Sequence, residues 1–421
     1  MAFEQAPPAS VPLRFLLTAP WFLMLAALVL LAHGPDALAS RWTPALLAAT
    51  HLVTLGFMSM VMLGALFQLL PVVAGVPIPR PALVAAVVHP ALSVGALLLA
   101  AGLLFALPWA LRAAVALLGV AFAVFLGAAG WALVRSAVRD DSVRAIRLAV
   151  FALLVTVVLG LWLASALAWR RSVPLLELVA QHVGWGLAGW TALLAIGVAV
   201  QVVPMFQLTP SYPPRISRVL APALFGALAA WSFSSLLGWS GIARLFGAAS
   251  ALAILLYAGA TLALQRRSRR PWHDATLLTW RAGMASLIAA AALWILRELP
   301  VVDERAHLLL GMLFLAGFAL SAIVGMLYNI VPFLLWIALR RRVQARVPHT
   351  RQILPERGTR WHAWLHVVSV VTLLGATLWP RWLAIPGALA ATASAVLLGA
   401  ILCDASLRAA AWRPPREVSQ S

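Results

Sequence analysis

The sequence predicts an all-α membrane protein, a polytopic bundle of about twelve transmembrane helices, and three observations carry that prediction. Apolar residues fill 63% and charged residues 10% of the 421 positions, and mean hydropathy is +0.97. A soluble chain is about half apolar and a quarter charged. Stretches of about 20 apolar residues, the length that crosses the hydrocarbon of a bilayer, recur from Pro12 to Leu407. The charges gather between those stretches, so residues 1–421 read as a single integral membrane domain.

The first stretch, near Leu13 to Ala32, is long and lacks a small-x-small cleavage site followed by polar sequence, so it reads as a span rather than a signal peptide. The twelve expected spans are 13–33, 45–72, 82–106, 109–133, 146–168, 176–207, 217–238, 242–264, 277–296, 306–338, 361–379 and 383–407. All 31 basic residues are arginine. With the amino terminus cytoplasmic, 23 of these arginines fall inside and 8 outside, the latter being Arg41, Arg112, Arg170, Arg171, Arg244, Arg297, Arg305 and Arg381. That positive-inside bias places both termini, including tail residues Arg413 and Arg416, in the cytoplasm of a bacterial-type inner membrane. It also accounts for the +19 formal charge without nucleic acid as a partner. The partner is the lipid bilayer, whose anionic headgroups suit the cytoplasmic arginines. Trp42, Trp109, Trp169, Trp239, Trp361 and Trp382 fall at expected span ends, where an amphipathic ring is comfortable. The single cysteine, Cys403, lies inside the last span and reads as a packing residue.

Three segments share one ending: Gly64-Ala-Leu-Phe-Gln-Leu-Leu-Pro71, Gly197-Val-Ala-Val-Gln-Val-Val-Pro204 and Gly325-Met-Leu-Tyr-Asn-Ile-Val-Pro332. They close spans two, six and ten, and a histidine opens each of those spans: His51, His182 and His307. The spacing implies three pseudo-repeated four-helix units, roughly 13–135, 146–264 and 277–407. Glycine and proline alone are common in membrane helices, for close packing and kinks. The shared amide and the shared histidine go beyond that.

Ionisable side chains inside a span are costly and are functional candidates by default, and neutral imidazole ligates haem iron and copper. His51, His182 and His307 are therefore the leading metal and cofactor residues. Their competing reading is interfacial histidine bonded to water or a loop. A weaker second set is His89, which precedes Pro90 and would otherwise bond a carbonyl freed by that proline, together with His362 and His366. The last two share a helix face that suits one metal ion, but the arginines around them favour a solvated face. Met58 and Met62 continue the His51 face as soft ligands or as packing. Glu177 reads as a rim residue, and the remaining acids, such as Asp140, Asp141 and Asp303, lie in connections. An alternative class is a secondary transporter whose path is lined by Gln68, Gln201 and Asn329, since repeats and broken helices also build carriers. The structural reading of those amides is helix-to-helix hydrogen bonding.

Twelve spans in three units, with histidines heading spans two, six and ten, resemble the heme-copper oxidase subunit I superfamily of cytochrome oxidases and nitric oxide reductases. His51-Leu-Val-Thr-Leu-Gly-Phe and Gly64-Ala-Leu-Phe-Gln-Leu-Leu-Pro71 are similar to that family's histidine-led helix. The resemblance implies that His51 and His307 hold a low-spin haem b, that His182 matches a copper ligand, and that the redox partner is a cytochrome c or another respiratory electron-transfer subunit. It also implies gaps. Arg305 stands where the family has a second span-ten histidine, 221–239 contains no histidine for copper, and no tyrosine follows His182 in span six. The resemblance therefore points to electron transfer or nitric oxide and oxygen handling, with oxidoreductase chemistry of the oxidase or reductase type left open. NnrS-type haem proteins are a second comparison, without their histidine and glycine signatures near the C-terminal end.

Overall fold

The computed structural model describes residues 7–296, 304–343 and 347–413. Arg297, Asp303 and Arg416, placed above in connections or the tail, lie outside the described residues. Among the described residues there is no strand, and 12 helices are long and apolar enough to cross a membrane. They are, from span one to span twelve, Ser10–Ala37, Pro44–Val73, Pro81–Leu104, Pro108–Arg135, Asp141–Ala168, Leu175–Gln207, Pro214–Leu236, Ser240–Gln265, Ala275–Leu296, Arg305–Arg342, Glu356–Leu378 and Pro380–Ala411. This is a multi-pass membrane protein. Trp109, Trp169, Trp239, Trp361 and Trp382 are exposed at or beside span ends, as an interfacial belt requires.

Span five starts earlier than its hydropathy suggests, because polar residues fasten its first turn. The Asp140 carboxylate accepts from the Val143 N–H as an N-cap. Arg147, seven positions on, donates to the carbonyls of Leu133 and Ser136 at the end of span four, supplying acceptors left open at a helix C-terminus with donors. Span nine repeats the device: Asp274 accepts from the Leu277 N–H, and Arg281 donates to the Gln265 carbonyl at the end of span eight.

Neighbours recur every four spans. Span one packs along span two, span five along six, and span nine along ten; spans three and four, seven and eight, and eleven and twelve pair in turn. Span twelve returns against span one, as four meets five and eight meets nine, so the bundle closes on itself. Spans two, six and ten are the inner ones: 67%, 61% and 72% of their most apolar stretches are buried, against 28–44% for the others.

Each inner span carries an eight-residue π-helical stretch: Leu52–Ser59, Trp185–Ala192 and Leu313–Leu320. A glycine occupies the fifth position of each, Gly56, Gly189 and Gly317, eight residues before the glycine of the shared ending. Both glycines press on the preceding span. A Cβ on Gly64 would meet Phe15 at 2.7 Å, one on Gly197 would meet Ala145 at 2.8 Å, and one on Gly325 would meet Thr279 at 2.5 Å. Gly56, Gly189 and Gly317 meet Phe22, Ala152 and Ser286, each seven residues further along the same partner span. Hydroxyls add to two of these contacts, Ser142 donating to the Gly197 carbonyl and Thr276 to that of Gly325.

Candidate functional site

The glycines set a common register for the inner spans, and the histidines do not share it. His51 lies five residues before Gly56, His182 seven before Gly189, and His307 ten before Gly317. At 3.6 residues per turn, about 100° per residue, offsets of two and five residues turn the side chains to different faces. The expectation of one equivalent histidine per unit is thus corrected to three differently aimed ones at one end of the bundle.

His51 and His182 come within electrostatic reach of each other. The His51 Nδ1 lies 2.8 Å from the Leu47 carbonyl, one turn back on its own helix. The His182 Nδ1 lies 3.0 Å from the Thr156 carbonyl of span five. A carbonyl only accepts, so Nδ1 carries the proton in both rings, and each Nε2 presents its lone pair. Among the described residues neither Nε2 has a hydrogen-bond partner. A ring whose Nδ1–H is held by a carbonyl, with Nε2 open, is the orientation seen in metal-ligating histidine. Gly160 makes room for the His182 ring, since a Cβ there would come within 2.8 Å of Cε1.

His307 is exposed and lines a narrow hollow with Leu293, Ala306 and Leu310. Met58 and Met62 are buried in the apolar core. The indole N–H of Trp190, buried in the π-helical stretch of span six, has no acceptor among the described residues.

His362 and His366 are buried, not solvated. The His362 Nε2 lies 3.0 Å from the Ser394 carbonyl and so carries the proton, which makes Nδ1 the acceptor of the Tyr328 hydroxyl. The Ser394 hydroxyl also lies beside Nε2. His366 Nε2 is hydrogen-bonded to the Ser321 hydroxyl at 2.9 Å, and the two imidazoles stack with centroids 6.2 Å apart. These rings join spans ten, eleven and twelve. The arginines that suggested a solvated face flank the start of span eleven, while the histidines look inward. His89 also makes a packing bond: its Nε2 lies 3.0 Å from the Thr18 hydroxyl of span one, with the Phe15 ring edge-on.

The three amides divide. Asn329 donates to Thr276 of span nine and to the Gly325 carbonyl, the helix-bonding role. Gln68 is half-buried and Gln201 exposed, and among the described residues neither side chain has a hydrogen-bond partner. A buried amide pair went unnoticed in the sequence: Gln265 of span eight donates to Gln207 of span six at 2.9 Å. Each is a single glutamine near a span end, with no local signal to pair them.

Among the described residues no three His, Cys, Asp or Glu side chains gather around one point, so a metal centre here would rest on a histidine pair. Compared with models of protein families and with characterised proteins, the chain finds no match.

Proposed function

We propose that this chain is a haem-binding membrane protein that passes electrons or holds a small gas such as nitric oxide or oxygen, with His51 as an axial ligand. The observation that supports this reading is the nitrogen geometry at His51 and His182: two imidazoles from inner spans, within electrostatic reach of each other, each with Nδ1 committed and Nε2 open. His182 and His307 are the two candidates for the second axial position. A b-type haem, when bound, supplies a one-electron couple and an iron that takes diatomic gases. The chain's own part is to fix the ligands. The Leu47 and Thr156 carbonyls hold the tautomer, Gly160 seats one ring, and the closely packed inner helices limit its movement.

Copper is the other metal this pair suits. Arg305 and the histidine-free span seven leave too few ligands for a second metal beside a haem, so we infer electron relay or gas binding rather than gas reduction. A cytochrome c or another respiratory subunit would then be the redox partner, at the outer face of an inner membrane with both termini cytoplasmic. The test is an optical spectrum and pyridine extraction of the detergent-purified protein from haem-replete cells. The expected result is a Soret and an α band that His51→Ala abolishes, with His182→Ala and His307→Ala naming the second ligand. A colourless protein with neither haem nor stoichiometric copper overturns the proposal.

The carrier reading keeps one supporting observation, the unpartnered amides of Gln68 and Gln201. Substrate uptake that survives His51→Ala and fails in Gln201→Ala would select it.

A further inference from the structure

A cleft of about 260 Å³ opens where span six begins and span seven ends, lined by Leu176, Glu177, Ala180, Gln181, Trp231, Ser235 and Leu236. Its volume lies just below the usual range of small-molecule pockets, about 300–1,000 Å³, and suits a headgroup rather than a large ligand. Among the described residues the Glu177 carboxylate has no ion pair and the Ser235 hydroxyl no hydrogen bond. Glu177 sits in the first turn of its helix, where a negative charge offsets the helix dipole. That placement explains its tolerance but not the cleft beside it.

The inner wall is built and buried. Gln181 is 4% exposed, and its amide is held against span seven by the Ser232 hydroxyl and carbonyl. The Trp185 indole N–H donates to the same Ser232 hydroxyl at 3.2 Å. Trp231, nearly buried, closes the side against Gly184. A carboxylate, a free hydroxyl and an indole together recognise an ammonium group, through charge-assisted hydrogen bonds and a cation–π contact. Leu176 and Leu236 flank the mouth at the ends of their spans, each 65% exposed.

We propose that this cleft binds the ammonium headgroup of a membrane phospholipid. The chemistry is shared with free amines, but the exposed leucines at the mouth favour an occupant that carries acyl chains.

The experiment uses the full-length protein in nanodiscs containing phosphatidylethanolamine, phosphatidylglycerol or both, with lipids retained after mild extraction counted by native mass spectrometry. The expected result is at least a several-fold preference for phosphatidylethanolamine that Glu177→Gln removes. Glu356→Gln, an exposed acid at another span's start, should keep it. Among the described residues Glu177 makes no ion pair, so an unchanged melting temperature should show that the variant is folded. Equal retention by the protein and Glu177→Gln overturns the proposal. Displacement of the lipid by soluble ethanolamine at comparable concentration overturns the assignment to lipid.

Discussion

Two pairs of buried or half-buried histidines, His51 with His182 and His362 with His366, sit in the same bundle and are held differently. In the first pair each ring spends one nitrogen on a carbonyl and leaves the other open. In the second, His362 spends both nitrogens, on Tyr328 and Ser394, and His366 is tied to Ser321. An imidazole within hydrocarbon is costly unless satisfied. In the second pair His362 meets that demand within the protein, and the two rings together link three spans. The first pair leaves it partly unmet. Which nitrogen is committed and to what, Nδ1–H on a carbonyl with Nε2 open, rather than the number of histidines, marks the ligand candidates.

The largest expected effect is spectroscopic. His51→Ala should lose essentially all bound haem, more than ten-fold against the unmodified protein by pyridine extraction, whereas His362→Ala should keep it. Loss of haem in His362→Ala with retention in His51→Ala would invert the comparison.

Stability should sort the two the other way. His362→Ala removes two interhelical partners and leaves a ring-sized void, together about 2–4 kcal/mol. His51→Ala breaks one bond to its own helix and should cost under about 1 kcal/mol in the metal-free protein. Unfolding in mixed micelles measures both, and equal losses would mean that His51 is also a structural link.

Gly160→Ala tests the seat of His182. The added methyl would come within 2.8 Å of the ring, so the ring must move or span five must shift, at about 1–3 kcal/mol. If His182 ligates, the Soret band should move or weaken; Gly127→Ala, with open space around it, should alter neither stability nor spectrum. An unchanged spectrum in Gly160→Ala would pass the second axial role to His307.

Much of this architecture was legible in the sequence, because hydrophobic length fixes spans and the shared glycine, amide and proline mark the inner three. More was present than hydropathy reveals. Gly56, Gly189 and Gly317 repeat at a constant distance, and Asp140 with Arg147 matches Asp274 with Arg281. These residues act between spans, so their pattern has meaning only once the partner span is known. The histidines misled for the same reason. His51, His182 and His307 look equivalent when measured roughly from the proline, yet a two-residue offset turns a side chain to the far side of its helix. Burial of His362 and His366 was hidden by the arginines beside them, since Arg357 and Arg360 share their helix but not their face.

The smallest effect bears on the weaker half of the structural pair. Ser321→Ala leaves the His366 Nε2 without its hydroxyl partner inside the bundle, while removing a single oxygen from span ten. Interhelical hydrogen bonds in membrane proteins average about 0.6 kcal/mol, because the unfolded chain in the membrane finds other partners. The expected loss is therefore about 0.6 kcal/mol, with no change in the haem spectrum. A Ser321→Ala, His366→Ala double-mutant cycle should return a coupling of that size, reading the bond apart from the void each truncation leaves. A coupling near zero would show that His366 is satisfied elsewhere, by its stacked neighbour His362 or by water. An altered spectrum would move His366 out of the structural pair and remove the distinction on which the assignment of His51 rests.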